Sequence, residues 1–114
     1  MAADQDREKY PYHRKYIRHR VRVKVEVEGQ RSFSAWTINL SVDGLCFEIP
    51  ERVAVGAEVG VWIFLTRGKK KDPPVQARAR VVWHDRGKKN HRHGGQFAEF
   101  DGDGRERLVR WLSG

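Results

Sequence analysis

The run RKYIRHR, residues 14 to 20, sets Arg14, Lys15, Arg18, His19 and Arg20 around two apolar side chains, Tyr16 and Ile17. Such a run can be a solvated charge run, a nucleic-acid arm, or a clamp for a small and specific anion. A guanidinium can meet a phosphate, or the O6/N7 edge of guanine, with paired parallel hydrogen bonds. It can also stack on a purine face, whereas lysine offers only a compact point charge. Arg14 and Arg18 are spaced Arg-x-x-x-Arg, and further along NLSVDG spaces Asn39, Ser41 and Gly44 as Asn-x-Ser-x-x-Gly. Asn39 offers a donor and an acceptor to a base edge, and Ser41 a hydroxyl to a phosphate or amine. Turn chemistry accounts for the same residues equally well. Asn and Ser side chains bond local backbone, and Gly44 permits positive φ or the close approach of another backbone.

Other groups carry less. Trp83 ends an alternating apolar run and reads first as core, second as an aromatic platform for a ligand. His91 and His93 form His-x-His with His84 nearby, a spacing that can ligate metal. They fall in a basic stretch without cysteine or a carboxylate set, so no metal is expected. Cys46 is the only cysteine, which excludes an intrachain disulfide. In the apolar run GLCFEI it reads as a small buried hydrophobe rather than a reactive thiol. No G-x-S-x-G, P-loop or apolar pair of carboxylates is present, so no enzymatic activity is expected.

Hydrophobic periodicity supplies the elements that must position these groups. VRVKVEVEG alternates strictly from Val21, with Val21, Val23, Val25 and Val27 on one face: a half-buried strand. SFSAWTI predicts a second strand and GLCFEIP a third that stops at Pro50. EVGVWIFLT predicts a fourth and VQARARVVWH a fifth, with Val75, Ala77, Ala79, Val81 and Trp83 sharing a face. RGKKKDPP reads as a basic hairpin loop, DRGKKNHRH as a second basic loop, and GGQFAEF as a sixth strand. In the tail, Asp103 and Glu106 stand at capping-box spacing, and Leu108, Val109, Trp111 and Leu112 recur at helical spacing before Gly114. Six strands and one short amphipathic helix point to a small antiparallel barrel or sandwich.

The chain has 114 residues, the size of one domain, and a formal net charge of +8, which favours an anionic partner. Its first residues lack the apolar core of a signal peptide, and no apolar run approaches the roughly 18–20 residues of a membrane span. The expectation is a cytoplasmic protein.

Taken together, Arg14 and Arg18 followed by Asn39, Ser41 and Gly44 resemble the paired motifs of the PilZ domain, the bacterial receptor for cyclic di-GMP. AWTINLSVDGLCFEIP resembles that family's central signature. ARVVWHDRG with HGGQFAEF resembles its late strands, and RERLVRWL its closing helix. The resemblance implies a six-stranded antiparallel PilZ-type β-barrel with one short C-terminal α-helix. Residues 1–12 would be a mobile N-terminal arm and 13–114 a single PilZ domain. It implies that Arg14 and Arg18 grip the phosphates and guanine edges of cyclic di-GMP, and that Asn39, Ser41 and Gly44 lie beneath a guanine and its sugar. Lys15 and Trp83 would be possible additional contacts. No cofactor beyond this ligand is implied. The expected role is a receptor that rearranges on binding and signals to a downstream protein partner, as a monomer or weak dimer, with ligand ordering the arm as far as Arg20. Motility and polysaccharide output in biofilms are among the processes such domains serve. The alternatives are a small basic β-barrel binding RNA or single-stranded DNA, and a ligand-independent PilZ interaction module. The paired motifs favour the receptor over both.

Overall fold

The computed structural model describes residues 17–67, 70–87 and 89–114. Six strands close into an antiparallel barrel in the order β1-β2-β3-β8-β7-β4. They are β1 (Lys24–Glu28), β2 (Ser32–Leu40), β3 (Gly44–Ile49), β4 (Glu58–Ile63), β7 (Val75–Arg86) and β8 (His91–Phe100). A two-residue antiparallel ladder, β5 (Thr66–Arg67) with β6 (Lys70–Lys71), opens the stretch expected to form a basic hairpin loop. Helix α1 (Gly104–Ser113) follows β8.

The alternating valines do what period two requires. Val23, Val25 and Val27 from the first strand region, Val59, Val61 and Ile63 from β4, and Val75, Ala77, Ala79 and Val81 from β7 are all buried. With Leu45, Phe47 and Ile49 of β3 they fill the barrel, and Leu108 of α1 joins the same core. β-Branched side chains suit this pleated, half-buried wall. Closure comes from β1, which pairs with β2 on one side and β4 on the other.

The first strand begins later than its alternation suggests. The ladder starts at Lys24 rather than Val21. Upstream, the chain is fastened to β2 by specific bonds instead. His19 and Leu40 exchange backbone hydrogen bonds at 2.9 Å each way. The buried Thr37 hydroxyl donates to the Val21 carbonyl at 2.6 Å and accepts the Val23 N–H at 2.9 Å. The end of the segment expected to order with ligand thus carries a backbone fastening to β2 at His19.

The fifth strand departs from simple alternation as well. Its register on β8 shifts between Val81 and Trp83. Val81 faces the core, but the bulge turns Trp83 to the outer face. A Cβ added at Gly94 would lie 1.9 Å from Trp83 Nε1, while one added at Gly95 would meet Ala79, Leu45 and Phe47 inside. The core reading of Trp83 is thus corrected: an extra residue in one strand reverses which face the next side chain takes.

The second basic loop is also shorter than DRGKKNHRH. Asp85 and Arg86 belong to β7, and His91, Arg92 and His93 belong to β8. His93 is fully buried and stacks on Phe47, centroids 5.2 Å apart. Its Nε2 accepts the Val53 N–H at 3.0 Å, which lets an imidazole occupy a core-facing position. At the helix, Asp103 holds the N-cap position but its side chain makes no capping bond. Its φ of −91° and ψ of 18° are not the extended geometry that folds a cap side chain over the first turn. Gly102, at a φ of 54°, makes the turn into the helix.

Candidate ligand site

The turn from β2 to β3 is built around Ser41. Its N–H donates to the Gly44 carbonyl at 2.9 Å, closing the turn. Its hydroxyl donates to the Asp43 carboxylate and accepts the N–H groups of Gly44 at 3.1 Å and Asp43 at 3.3 Å. Ser41 is 3% exposed, so this hydroxyl is a fixture of the turn rather than a free group. Asp43 ties the turn to the far strand, its carbonyl accepting the Phe97 N–H at 2.8 Å.

Gly44 pairs with Gln96 of β8, and a Cβ at Gly44 would lie 2.2 Å from the Gly95 carbonyl oxygen. Of its two possible uses, the glycine serves close backbone approach; the described residues with positive φ are Gly56 and Gly102. Asn39 sits where the β2–β3 register shifts, opposite Cys46. Arg18 comes from the segment just before the pinned His19.

These pieces meet. Arg18, Asn39, Ser41 and Gly44 line one notch of about 20 Å³, together with Asp43, Gln96 and the backbone of Gly94 and Gly95. Neither Arg18 nor Asn39 makes a side-chain hydrogen bond or ion pair with the described residues. A guanidinium and an amide thus stand ready beside a preorganised turn. The notch holds about one water, so a nucleotide would rest on it rather than inside it. Trp83 does not line the notch, but its indole lies against Gly94, which does. Arg14 and Lys15 lie outside the described residues.

The thiol of Cys46 lies behind this wall. Burial pushes it up to about 11, against the opposing pull of Arg92 and Arg18, as suits an inert packing group. Further along β7 and β8, His84 Nε2 and His91 Nδ1 are 2.8 Å apart, and the His84 ring lies 5.1 Å from His93. Burial, and secondarily the neighbouring imidazoles, hold His93 down at about 4. Among the described residues no group of three or more His, Cys, Asp or Glu side chains is arranged to hold a metal ion.

Sequence reading missed Asp43 and Gln96. Asp43 is an unremarked spacer in Asn-x-Ser-x-x-Gly, and only the β3–β8 register brings Gln96 opposite Gly44. The glycine pair before Gln96 was the available signal, since adjacent glycines in a strand mark close approach.

A closed antiparallel barrel with a polar turn and an unpaired arginine on its rim is a compact, anion-facing module. The PilZ domain family profile matches residues 8–114, and the chain belongs to that family. No curated protein matches its sequence significantly. Among solved structures, the Bacillus subtilis inhibitor of motility (MotI/DgrA) superposes with a TM-score of 0.78 at 13% identity, covering 90% of this chain and 50% of that one. Escherichia coli YcgR in complex with c-di-GMP gives a TM-score of 0.69 at 11% identity, covering 89% and 45%. The isolated PilZ domain of YcgR with c-di-GMP gives 0.65 at 12%, covering 87% and 88%. The chain spans about half the length of the first two. At these identities the likeness is one of fold. No helix among the described residues is long and apolar enough to cross a membrane.

Proposed function

We propose that this protein is a non-catalytic receptor for cyclic di-GMP that passes the binding event to a protein partner in the bacterial cytoplasm. The observation that carries this reading is the convergence on one notch of Arg18 with Asn39, Ser41 and Gly44 of the β2–β3 turn, a separate stretch of the chain, with the guanidinium and the amide unengaged. In this reading Arg14 and Arg18 close over a symmetric dianion with two guanines, meeting phosphate or the O6/N7 edge bidentately. Asn39 contacts a base edge. Ser41 and Gly44 act through the shape of the turn, the first by holding it and the second by leaving room for β8. Trp83 and Lys15 are supplementary contacts, the indole as a surface for a purine. Ligand lying on so small a notch needs a cover, which the cationic segment around Arg14 supplies. The family membership and the c-di-GMP found in the YcgR structures support the choice of ligand.

Calorimetric titration tests the assignment. Wild-type protein binds cyclic di-GMP, and Arg14→Ala and Arg18→Ala each lose more than about tenfold in affinity, as removal of a charge-assisted contact does. Cyclic di-AMP competes poorly, because adenine places a donor where an arginine needs an acceptor. Undiminished affinity in the Arg18 variant would remove the clamp from the mechanism.

A further inference from the structure

Beside the notch, the outer face of the barrel carries a groove of about 620 Å³, bounded by residues 20 and 22 and by β2, β3 and β8. Its floor holds Trp36, 52% exposed and the large apolar side chain that the described strands leave most open. The Arg22 guanidinium stands 5.6 Å from the Trp36 ring centroid. Arg20 and Arg92 extend the cationic rim. The one carboxylate in the groove, Glu48, is already taken: Arg92 donates to it through Nε at 3.0 Å and Nη2 at 2.8 Å. Arg20 and Arg22 make no ion pair with the described residues.

We propose that this groove docks an acidic segment of a partner protein that presents an apolar residue between its carboxylates. Guanidinium forks without a carboxylate partner match carboxylates bidentately, and the half-exposed indole beside them offers apolar contact at the centre. Tryptophan and arginine are the residue types that dominate protein interfaces when clustered this way. Two other occupants fit less well. A nucleic-acid strand needs a series of aromatic faces on which successive bases stack, and the lining of this groove supplies one, Trp36. A second copy of the chain would bring one cationic face against another, a like-charge arrangement that disfavours association.

The groove and the notch share a segment. Arg18 lines the notch while Arg20 and Arg22 line the groove, and all three extend from backbone fastened to β2 through His19 and Thr37. The proposal rests on the receptor reading in one respect, the purpose of the groove: ligand held by Arg18 acts on the same stretch of chain that forms the partner's binding rim.

The test uses three probes on the full chain: a short synthetic peptide of aspartate and glutamate around a central leucine, its lysine-for-glutamate counterpart, and single-stranded oligothymidylate. Binding is followed by chemical-shift mapping and calorimetry. The acidic peptide is expected to perturb Trp36, Arg20 and Arg22, and Trp36→Ala and Arg22→Glu each to weaken it by about tenfold or more. Arg22→Glu changes an exposed side chain, so it keeps the test open if Trp36→Ala fails to fold. Failure of the acidic peptide to bind wild type, binding indifferent to both variants, or tighter binding of oligothymidylate at the same residues would each overturn the proposal. Cyclic di-GMP titration of the same proteins separates the two readings: its absence in wild type removes the receptor reading and leaves the peptide result standing, and unchanged cyclic di-GMP affinity in Arg22→Glu places the groove outside the nucleotide site.

Discussion

The Ser41 hydroxyl organises the turn from within, donating to Asp43 and receiving two backbone N–H groups. Ser41→Ala therefore acts on stability before it acts on ligand. Leaving those partly buried groups unsatisfied costs about 1–3 kcal/mol, which urea denaturation will read as a lower midpoint at unchanged slope, while cyclic di-GMP affinity falls less than in Arg18→Ala. A second residue-scale consequence concerns acid. His93 is buried and neutral, accepts the Val53 N–H, and titrates at about 4 instead of the usual 6.5. Between these values the unfolded chain binds a proton that the native state refuses. Stability is complete above about pH 6.5 and is lost as pH falls toward 4, by on the order of 3 kcal/mol. His84, held below its ordinary value chiefly by burial and then by Arg52 and His91, contributes in the same direction. Unfolding midpoints measured across this range should show the slope in wild type and a much flatter line in His93→Gln, whose amide can still accept from Val53. An equal slope in that variant would assign the acid sensitivity elsewhere.

Strands carry the lesson about what a sequence reveals. The alternation of Val23, Val25 and Val27, and of Val59, Val61 and Ile63, was legible because one buried face enforces period two, and burial confirms it position by position. The bulge before Trp83 was not, since an inserted residue is defined by the partner strand and leaves no mark on its own run. The same applies to His93, whose core position depends on a backbone donor forty residues away, and to Gln96, which register alone sets opposite Gly44. The motif residues Arg18, Asn39, Ser41 and Gly44 were legible as types and spacings; that Ser41 works inside the turn was not, because a hydroxyl's partner is a matter of geometry. At this scale the prediction falls on Gly94. A methyl there would meet Trp83 Nε1 at 1.9 Å, so the indole must leave its seat on β8. Gly94→Ala should shift the tryptophan emission spectrum and, if Trp83 supports a guanine, weaken cyclic di-GMP. A shifted spectrum with wild-type affinity would exclude Trp83 from the site.

For the molecule as a whole, the net charge of +8 raises the local concentration of any anion without choosing among them. Salt distinguishes the candidates. A dinucleotide touched by a few cations should lose affinity gradually as ionic strength rises. A single strand laid along the surface would instead follow a log–log slope of about −0.7 for every phosphate neutralised. Titrations of cyclic di-GMP and of oligothymidylate across a salt series will show which regime applies, and a steep slope for the oligonucleotide combined with no cyclic di-GMP binding would reverse the assignment. The closed ring of strands has a further bearing on how such a domain can be read by others. Because β1 is bonded to both β2 and β4, the described strands close into a ring, although residues 32–36 of β2 run past the β3 register and stand outside that ladder. A partner reading such a ring meets side chains over most of its circumference. A ring closed in this way also offers a neighbouring copy little of the edge from which ladders extend between molecules.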